Sequence, residues 1–257
     1  MTNKLKFTFR SEKISEFIDR LEDLTKIEDT IKLKIDSNNI LMYSILGGNV
    51  MLAFKNFLLN TEDFFKFDEF DFTLDVIIAN AKKFVKNLNF LTSSEKVTIE
   101  FTYKESNDDD SIMNTRSVQA VGGKLKVNWL AGEHYELRDI NKVSLKSNLD
   151  IKKRKWFFKI SQNDFADIKK LASINSDRII NITIDSGKVV FSEKAAWELE
   201  IDSIDDDRNS NLMLNKKFLN CITDNKEVEF SIFDNFMLVQ ENNSNLMLSF
   251  EQDFSDD

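Results

Sequence analysis

Two stretches of this sequence occur twice, in the same order, and that repetition constrains the fold more than any other feature. Ile35-Asp36-Ser37-Asn38-Asn39-Ile40-Leu41-Met42 is matched by Ile184-Asp185-Ser186-Gly187-Lys188-Val189-Val190-Phe191. Lys82-Lys83-Phe84, followed by Lys96-Val97-Thr98-Ile99-Glu100-Phe101, is matched by Lys216-Lys217-Phe218, followed by Lys226-Glu227-Val228-Glu229-Phe230. Both matches lie inside the same string of expected elements: strand, helix, three strands, a connecting segment, helix, three strands.

In the first round, residues 4–9 alternate as a strand. Ser11 is the expected N-cap of a helix over 12–26, with Ile14, Phe17, Ile18, Leu21 and Leu24 on its buried face. Strands follow over 30–36, 40–46 and 50–58, the last after a Gly47-Gly48-Asn49 turn, and another over 70–73. Ile77, Ala81, Phe84 and Leu88 recur at helical spacing and predict a helix over 76–91. Strands over 96–104, 115–121 and 124–130 close the round. The second round reads as a strand over 156–160 and a helix over 161–174 with Phe165, Ile168 and Ala172 inward. Strands over 178–185, 188–192 and 195–203, a helix over 212–222 and a meander over 227–251 complete it. From residue 132 to about 152 no period survives, and an unstructured run of that length favours a connection between domains. The expected organisation is a domain over 1–133, a connector over 134–152 and a second domain over 153–257. The fold class is α+β, with two helices packed on antiparallel sheets in each domain. The sheet edges left at the ends of each domain need partners, which pairing between subunits would supply.

Proline is absent and there are six glycines, so the turns rely on Asn, Asp and Ser. The net charge is -9, but its sign is segregated. The expected helices carry -2 over 12–26, +3 over 76–91, 0 over 162–174 and +2 over 213–222, which leaves the rest of the chain at -12. Lys82, Lys83 and Lys86 fall opposite the apolar face of their helix, with no acidic side chain in the segment. The first helix departs from this, because Glu12, Glu16, Asp19 and Asp23 lie opposite its apolar face.

Other classes find little support. No window is long and apolar enough to span a bilayer, and the first residues lack an apolar signal core, so a cytoplasmic protein is expected. One cysteine, Cys221, excludes an internal disulfide. The single histidine, His134, and the single cysteine do not make a zinc site, and Asp108-Asp109-Asp110 reads as a solvated turn. There is no glycine-rich phosphate loop and no G-x-S-x-G elbow, so the chain reads as a non-enzyme without metal or cofactor.

The doubled pattern, the Ile-Asp-Ser turn after each first helix, RIINITIDSGKVVFS behind the helix over 161–174, the long connector, and the final NLMLSFEQDF with its acidic tail resemble the sliding DNA clamps. The likeness is to the two-domain kind of T-even-like bacteriophages, archaea and eukaryotes (proliferating cell nuclear antigen), and covers nearly the whole chain. It implies a homotrimeric ring, closed head to tail, with helices around a central hole and sheets outside. Its partners would be double-stranded DNA without regard to sequence, a DNA polymerase and a clamp loader, with no membrane. It implies that Lys82, Lys83, Lys86, Lys170 and Lys216 face DNA, with Lys13, Arg20, Lys169 and Lys217 on the flanks. It implies a pocket for partner peptides lined by Ile35, Ile40, Leu137, Ile140, Val143, Met247 and Phe250. The subunit interface would join Lys124, Val127 and Trp129 of one copy to Ala195, Trp197 and Leu199 of the next. The reading from another class is a β-rich structural or assembly protein of a virus, which shares the strands and open edges but has no need of lysines confined to helices.

Overall fold

The second half of the chain repeats the strand pairing of the first. The structure is a computed structural model that describes residues 3–46, 51–105, 112–132, 150–194, 196–203, 208–222, 227–241 and 244–250. The chain forms two units, Met1–Ile45 with Phe54–Arg138, and Leu46–Ala53 with Asp139–Asp257. Along the chain come β1 (Asn3–Arg10), α1 (Ser11–Thr25), β2 (Thr30–Ile35), β3 (Asn39–Leu46), β4 (Met51–Leu58), β5 (Phe64–Phe67), β6 (Thr73–Ala79), α2 (Ala81–Asn89), β7 (Lys96–Glu105), β8 (Ile112–Gly122) and β9 (Leu125–Leu130). The second half continues with β10 (Trp156–Ile160), α3 (Gln162–Ile174), β11 (Ile179–Asp185), β12 (Lys188–Glu193), β13 (Trp197–Ser203), β14 (Ser210–Asn215), a 3-10 segment (Lys216–Cys221), β15 (Val228–Ile232), β16 (Phe236–Glu241) and β17 (Ser244–Ser249).

In the first unit β7 pairs with β1 and β8, and β8 with β9, all antiparallel. In the second, β15 pairs with β10 and β16, and β16 with β17. Likewise β2 pairs with β3 and β6, and β11 with β12 and β14. This is the α+β duplication that the repeated stretches predict. The first unit adds a short parallel contact, Thr73↔Ile112 to Asp75↔Asn114, between β6 and β8.

The matched Ile-Asp-Ser stretches sit at matching hairpins but turn differently. Asp36 Oδ1 accepts from the backbone N–H groups of Asn38 and Asn39, each at 2.9 Å. In the second unit Ser186 (φ 51°) and Gly187 (φ 83°) make a two-residue turn with both residues left-handed. Period-two burial sets the strands: Leu5, Phe7 and Phe9 of β1 are buried and their neighbours are not. Phenylalanine fills the cores. Phe9 packs on Phe64 at 4.9 Å and Phe17 meets Phe57 edge-on at 5.5 Å, while Phe158 stacks on Phe230 at 5.1 Å.

Several expectations need correction. The helix expected over 76–91 is two elements. Val76, Ile77 and Ile78 are all buried in β6, because that strand pairs with β2 and is covered on both faces. Asn80 then adopts the left-handed conformation (φ 52°, ψ 48°) and α2 starts at Ala81. The helix expected over 212–222 is a strand, in which Leu212 and Leu214 pair with Ile182 and Ile180, followed by the 3-10 segment. Asn215 caps that segment by accepting from the Lys217 N–H at 3.1 Å. Ser11 is already helical and makes no cap, whereas Ser161 caps α3 by accepting from the Asp164 N–H at 3.2 Å. Of the strand expected over 70–73 only Thr73 pairs, as the first residue of β6, and β5 lies earlier in the chain. The Gly47-Gly48-Asn49 turn, Asp108-Asp109-Asp110, His134 and the connector residues Leu137, Ile140 and Val143 lie outside the described residues.

Candidate nucleic-acid interface

The basic helix α2 is held at both ends of its apolar face. Ala81, Phe84, Val85 and Leu88 are buried. Its first turn is anchored from the segment after α1: the Asp29 carbonyl accepts from the Ala81 N–H at 2.9 Å, and Asp29 Oδ1 from the Lys82 N–H at 2.7 Å. A carboxylate at a helix N-terminus satisfies orphan donors and meets the positive end of the dipole. Beneath the helix, Trp129 of β9 meets Phe84 edge-on at 5.5 Å and donates its indole N–H to the Ala79 carbonyl at 3.1 Å. Lys82, Lys83 and Lys86 are left exposed on the other side, and none makes an ion pair among the described residues. Three uncompensated cations on one short helix form an anion-attracting face.

The first helix behaves differently, because its cations are consumed internally. Lys13 bonds Glu16 at 2.9 Å and Asp63 at 3.2 Å, and its ammonium lies 4.7 Å from the Phe57 ring centre. Arg20 pairs with Glu16 and covers the same ring. Lys13 and Arg20, expected to face DNA, therefore pack against their own unit. Asp23 is paired with Lys26 and with the buried Lys55 of β4, a partner the sequence reading missed. Burial alone would raise the Asp23 carboxyl, but Lys55 and Lys26 together hold it below its ordinary value. Asp19 goes the other way: its surface is open to solvent, but its surroundings desolvate it in part and push it up, and the neighbouring Asp23 adds to this. Glu12 and Asp19 stay exposed, so the outward side of α1 is acidic.

In the second unit a cleft of about 490 Å³ opens beside the end of α3, lined by Lys169, Asn175, Arg178, Lys216, Lys217 and Asn220 among others. Lys217 and Arg178 are exposed there, and Lys170 is exposed on α3. Lys169 is turned back, donating to the Ile222 carbonyl at 3.1 Å. Lys216 is the clearest departure from expectation. Its ammonium donates to the Ala172 and Asn175 carbonyls, each at 2.9 Å, and to Glu193 at 2.8 Å, so it is an internal cap and not a free cation. Arg178 was not anticipated, because charge was counted by helix and Arg178 stands just before β11.

Ile35 and Ile40, expected in a peptide pocket, are fully buried and face one another across the β2–β3 hairpin; they are core residues. Met247 and Phe250 keep part of their surface open. Of the expected interface residues, Lys124 is exposed at the turn before β9, Val127 and Trp129 are half-buried on β9, and Trp197 and Leu199 are half-buried on β13; Ala195 lies outside the described residues. Among the described residues β9 pairs only with β8, and β13 only with β12, so each presents an open edge. Lys126 on β9, and Glu198 and Glu200 on β13, are exposed.

Two repeated α+β units of this strand order make up the sliding-clamp fold, and this chain has it. It is similar to PCNA from Thermococcus kodakaraensis (TM-score 0.63, 15% identity, 96% of this chain and 100% of that chain). It is similar to the Proliferating Cellular Nuclear Antigen of Entamoeba histolytica (TM-score 0.62, 15% identity, 96% and 99%). It is also similar to DNA polymerase III subunit beta from Borrelia burgdorferi (TM-score 0.66, 13% identity), covering 96% of this chain but 65% of that longer one. No family model and no curated protein matches the sequence. No helix among the described residues is long and apolar enough to cross a membrane.

Proposed function

We propose that this chain is a sliding DNA clamp, a non-enzymatic processivity factor that encircles duplex DNA and tethers a DNA polymerase and other DNA-acting proteins. The observation that carries this reading is the face of α2: three exposed lysines without ion pairs among the described residues, on a clamp-fold protein of net charge -9. Contacts of that kind are directed at phosphates, blind to sequence and weakened by salt, as sliding demands. The second unit contributes exposed cations of its own, Lys170, Arg178 and Lys217, while the acidic outward side of α1 holds DNA away. The working division is a domain over 1–133, a connector over 134–152 and a domain over 153–257.

The ring is a homotrimer in this reading. β9 of one copy adds to β13 of the next, where Lys124 and Lys126 face Glu198 and Glu200, and head-to-tail contacts of this kind close into a ring. A clamp loader opens it in the cytoplasm, and tethering then works by effective concentration: a polymerase held on the ring stays near the primer end. Met247 and Phe250 offer surface to partner segments. Particle images test the proposal. A six-lobed ring with a central hole, of about three times the 29.9 kDa chain mass, is expected. A chain that stays monomeric at every concentration overturns it.

A further inference from the structure

Glu193, the last residue of β12, is a fully buried carboxylate. Both of its oxygens are used. Oε1 accepts from Lys216 Nζ at 2.8 Å, and Oε2 accepts from the indole N–H of Trp197 at 3.0 Å. The same ammonium holds the carbonyls of Ala172 and Asn175 at the end of α3. One ion pair thus ties together the end of α3, the start of the 3-10 segment and the first residue of β13.

Burying a charge pair is expensive, and apolar residues of the same volume do as well or better for stability alone. What this pair does that apolar residues cannot is fix the Trp197 indole by its N–H. The chain between them holds one residue in a strained conformation. Lys194 is left-handed (φ 44°), a conformation that costs energy in a lysine and persists where its surroundings impose it. The Ala196 N–H closes the turn on the Glu193 carbonyl at 2.9 Å. Trp197, half-exposed, is then the first side chain of the open edge of β13.

We propose that Glu193 is a positioning residue for subunit association: its buried carboxylate, steadied by Lys216, sets Trp197 in the place where the neighbouring subunit's strand meets β13. This rests on the reading of β13 as the joining strand. Glu193 has no exposed surface, so any effect it has on association passes through the groups it holds.

Two double variants separate this from a purely structural role. Glu193→Met/Lys216→Met and Glu193→Gln/Lys216→Met both remove the charge pair, so neither leaves a lone buried charge. Only the Gln form keeps an acceptor for the indole N–H. Sedimentation equilibrium is expected to show near wild-type association for the Gln form and about tenfold weaker association for the Met form. The Trp197 indole N–H stays hydrogen-bonded and slow to exchange in the Gln form and becomes unbonded and fast to exchange in the Met form, with the circular dichroism of both unchanged. A wild-type ring with equal association constants for the two variants overturns this proposal alone. A wild-type chain that never associates overturns the ring reading and this proposal with it.

Discussion

Asp29 Oδ1 accepts a hydrogen bond from the backbone N–H of Lys82 at 2.7 Å, so a residue just beyond α1 starts the helix that carries the basic face. Asp29→Ala removes this cap. We expect a loss of about 1 kcal/mol in urea unfolding and faster amide exchange in the first turn of α2. Binding to duplex DNA should weaken as well, since Lys82 and Lys83 stand on that turn. An unchanged exchange rate at Lys82 would show that the carbonyl bond from Asp29 to Ala81 suffices.

Charge at Lys82, Lys83 and Lys86 should be read by DNA, and charge at Lys216 should not. Replacing the three by Gln is expected to lower the slope of log binding constant against log salt by about 3, roughly one for each lost phosphate contact. Lys216→Gln should leave the slope alone and lower stability by about 2 to 4 kcal/mol, because Glu193 is left buried without its cation. The two measurements, on the same duplex and the same unfolding assay, give opposite rankings of the variants.

Lys32 and Asp75 form an ion pair of 2.9 Å between β2 and β6, with side chains 3% and 5% exposed. Asp75 Oδ1 has no hydrogen-bond partner among the described residues, so the pair is incompletely satisfied. Asp75→Ala is expected to cost about 3 to 5 kcal/mol by leaving Lys32 without its carboxylate. Lys32→Met with Asp75→Leu should recover most of that loss or exceed the wild type. Chemical denaturation of the three proteins checks both statements.

Acid should weaken the tie between α1 and β4. Burial opposes ionisation of Asp23, but Lys55 and Lys26 outweigh it and its carboxyl titrates below the ordinary value. A lowered folded-state pKa means stability that is present above the unfolded value and lost as pH falls through the folded one. Asp19, raised by partial desolvation and by Asp23, has the opposite sign and regains stability as it protonates. The urea midpoint is expected to fall below the ordinary carboxylate range, and Asp23→Asn should flatten that fall while lowering the midpoint at neutral pH.

Edge pairing makes a prediction about mass. Val127→Asp on β9 or Leu199→Asp on β13 places a charge on a half-buried position of an open edge. Either should reduce association by about tenfold or more, with folding retained. Equal sedimentation of wild type and both variants would remove β9 and β13 from the interface.

What was legible in the sequence followed from local periodicity. The alternation in Leu5, Phe7 and Phe9, and the Asp36 and Ser186-Gly187 turns, announced hairpins twice over. The start of α2 was not legible. Val76, Ile77 and Ile78 are all buried in β6, a continuous apolar run that periodicity cannot tell from a buried helix, and Ile77 also falls in helical register with Ala81, Phe84 and Leu88. Nor could Lys216 be read correctly, since a long flexible stem lets a lysine beside an exposed lysine point inward. Asp23 of α1 looked uncompensated because Lys55, one of its counter-charges, stands 32 residues away on β4. The exposure of Lys82, Lys83 and Lys86 was legible because helical spacing separates polar from apolar positions within nine residues.

The long-range pairing of β1 has a consequence for synthesis. Phe7 pairs with Ile99, and Phe158 with Phe230, so one edge of the strand that opens each half of the chain waits for a partner made much later. While the ribosome is still adding β7, β1 has β5 on one edge and Phe17, Phe57 and Phe64 against its apolar side, but its other edge has no partner, and pairings so distant in sequence form slowly. The nascent chain therefore leaves the β7 edge of β1 open for longer than a chain of local hairpins would. The first unit becomes protease-resistant only once residues past β8 have left the exit tunnel.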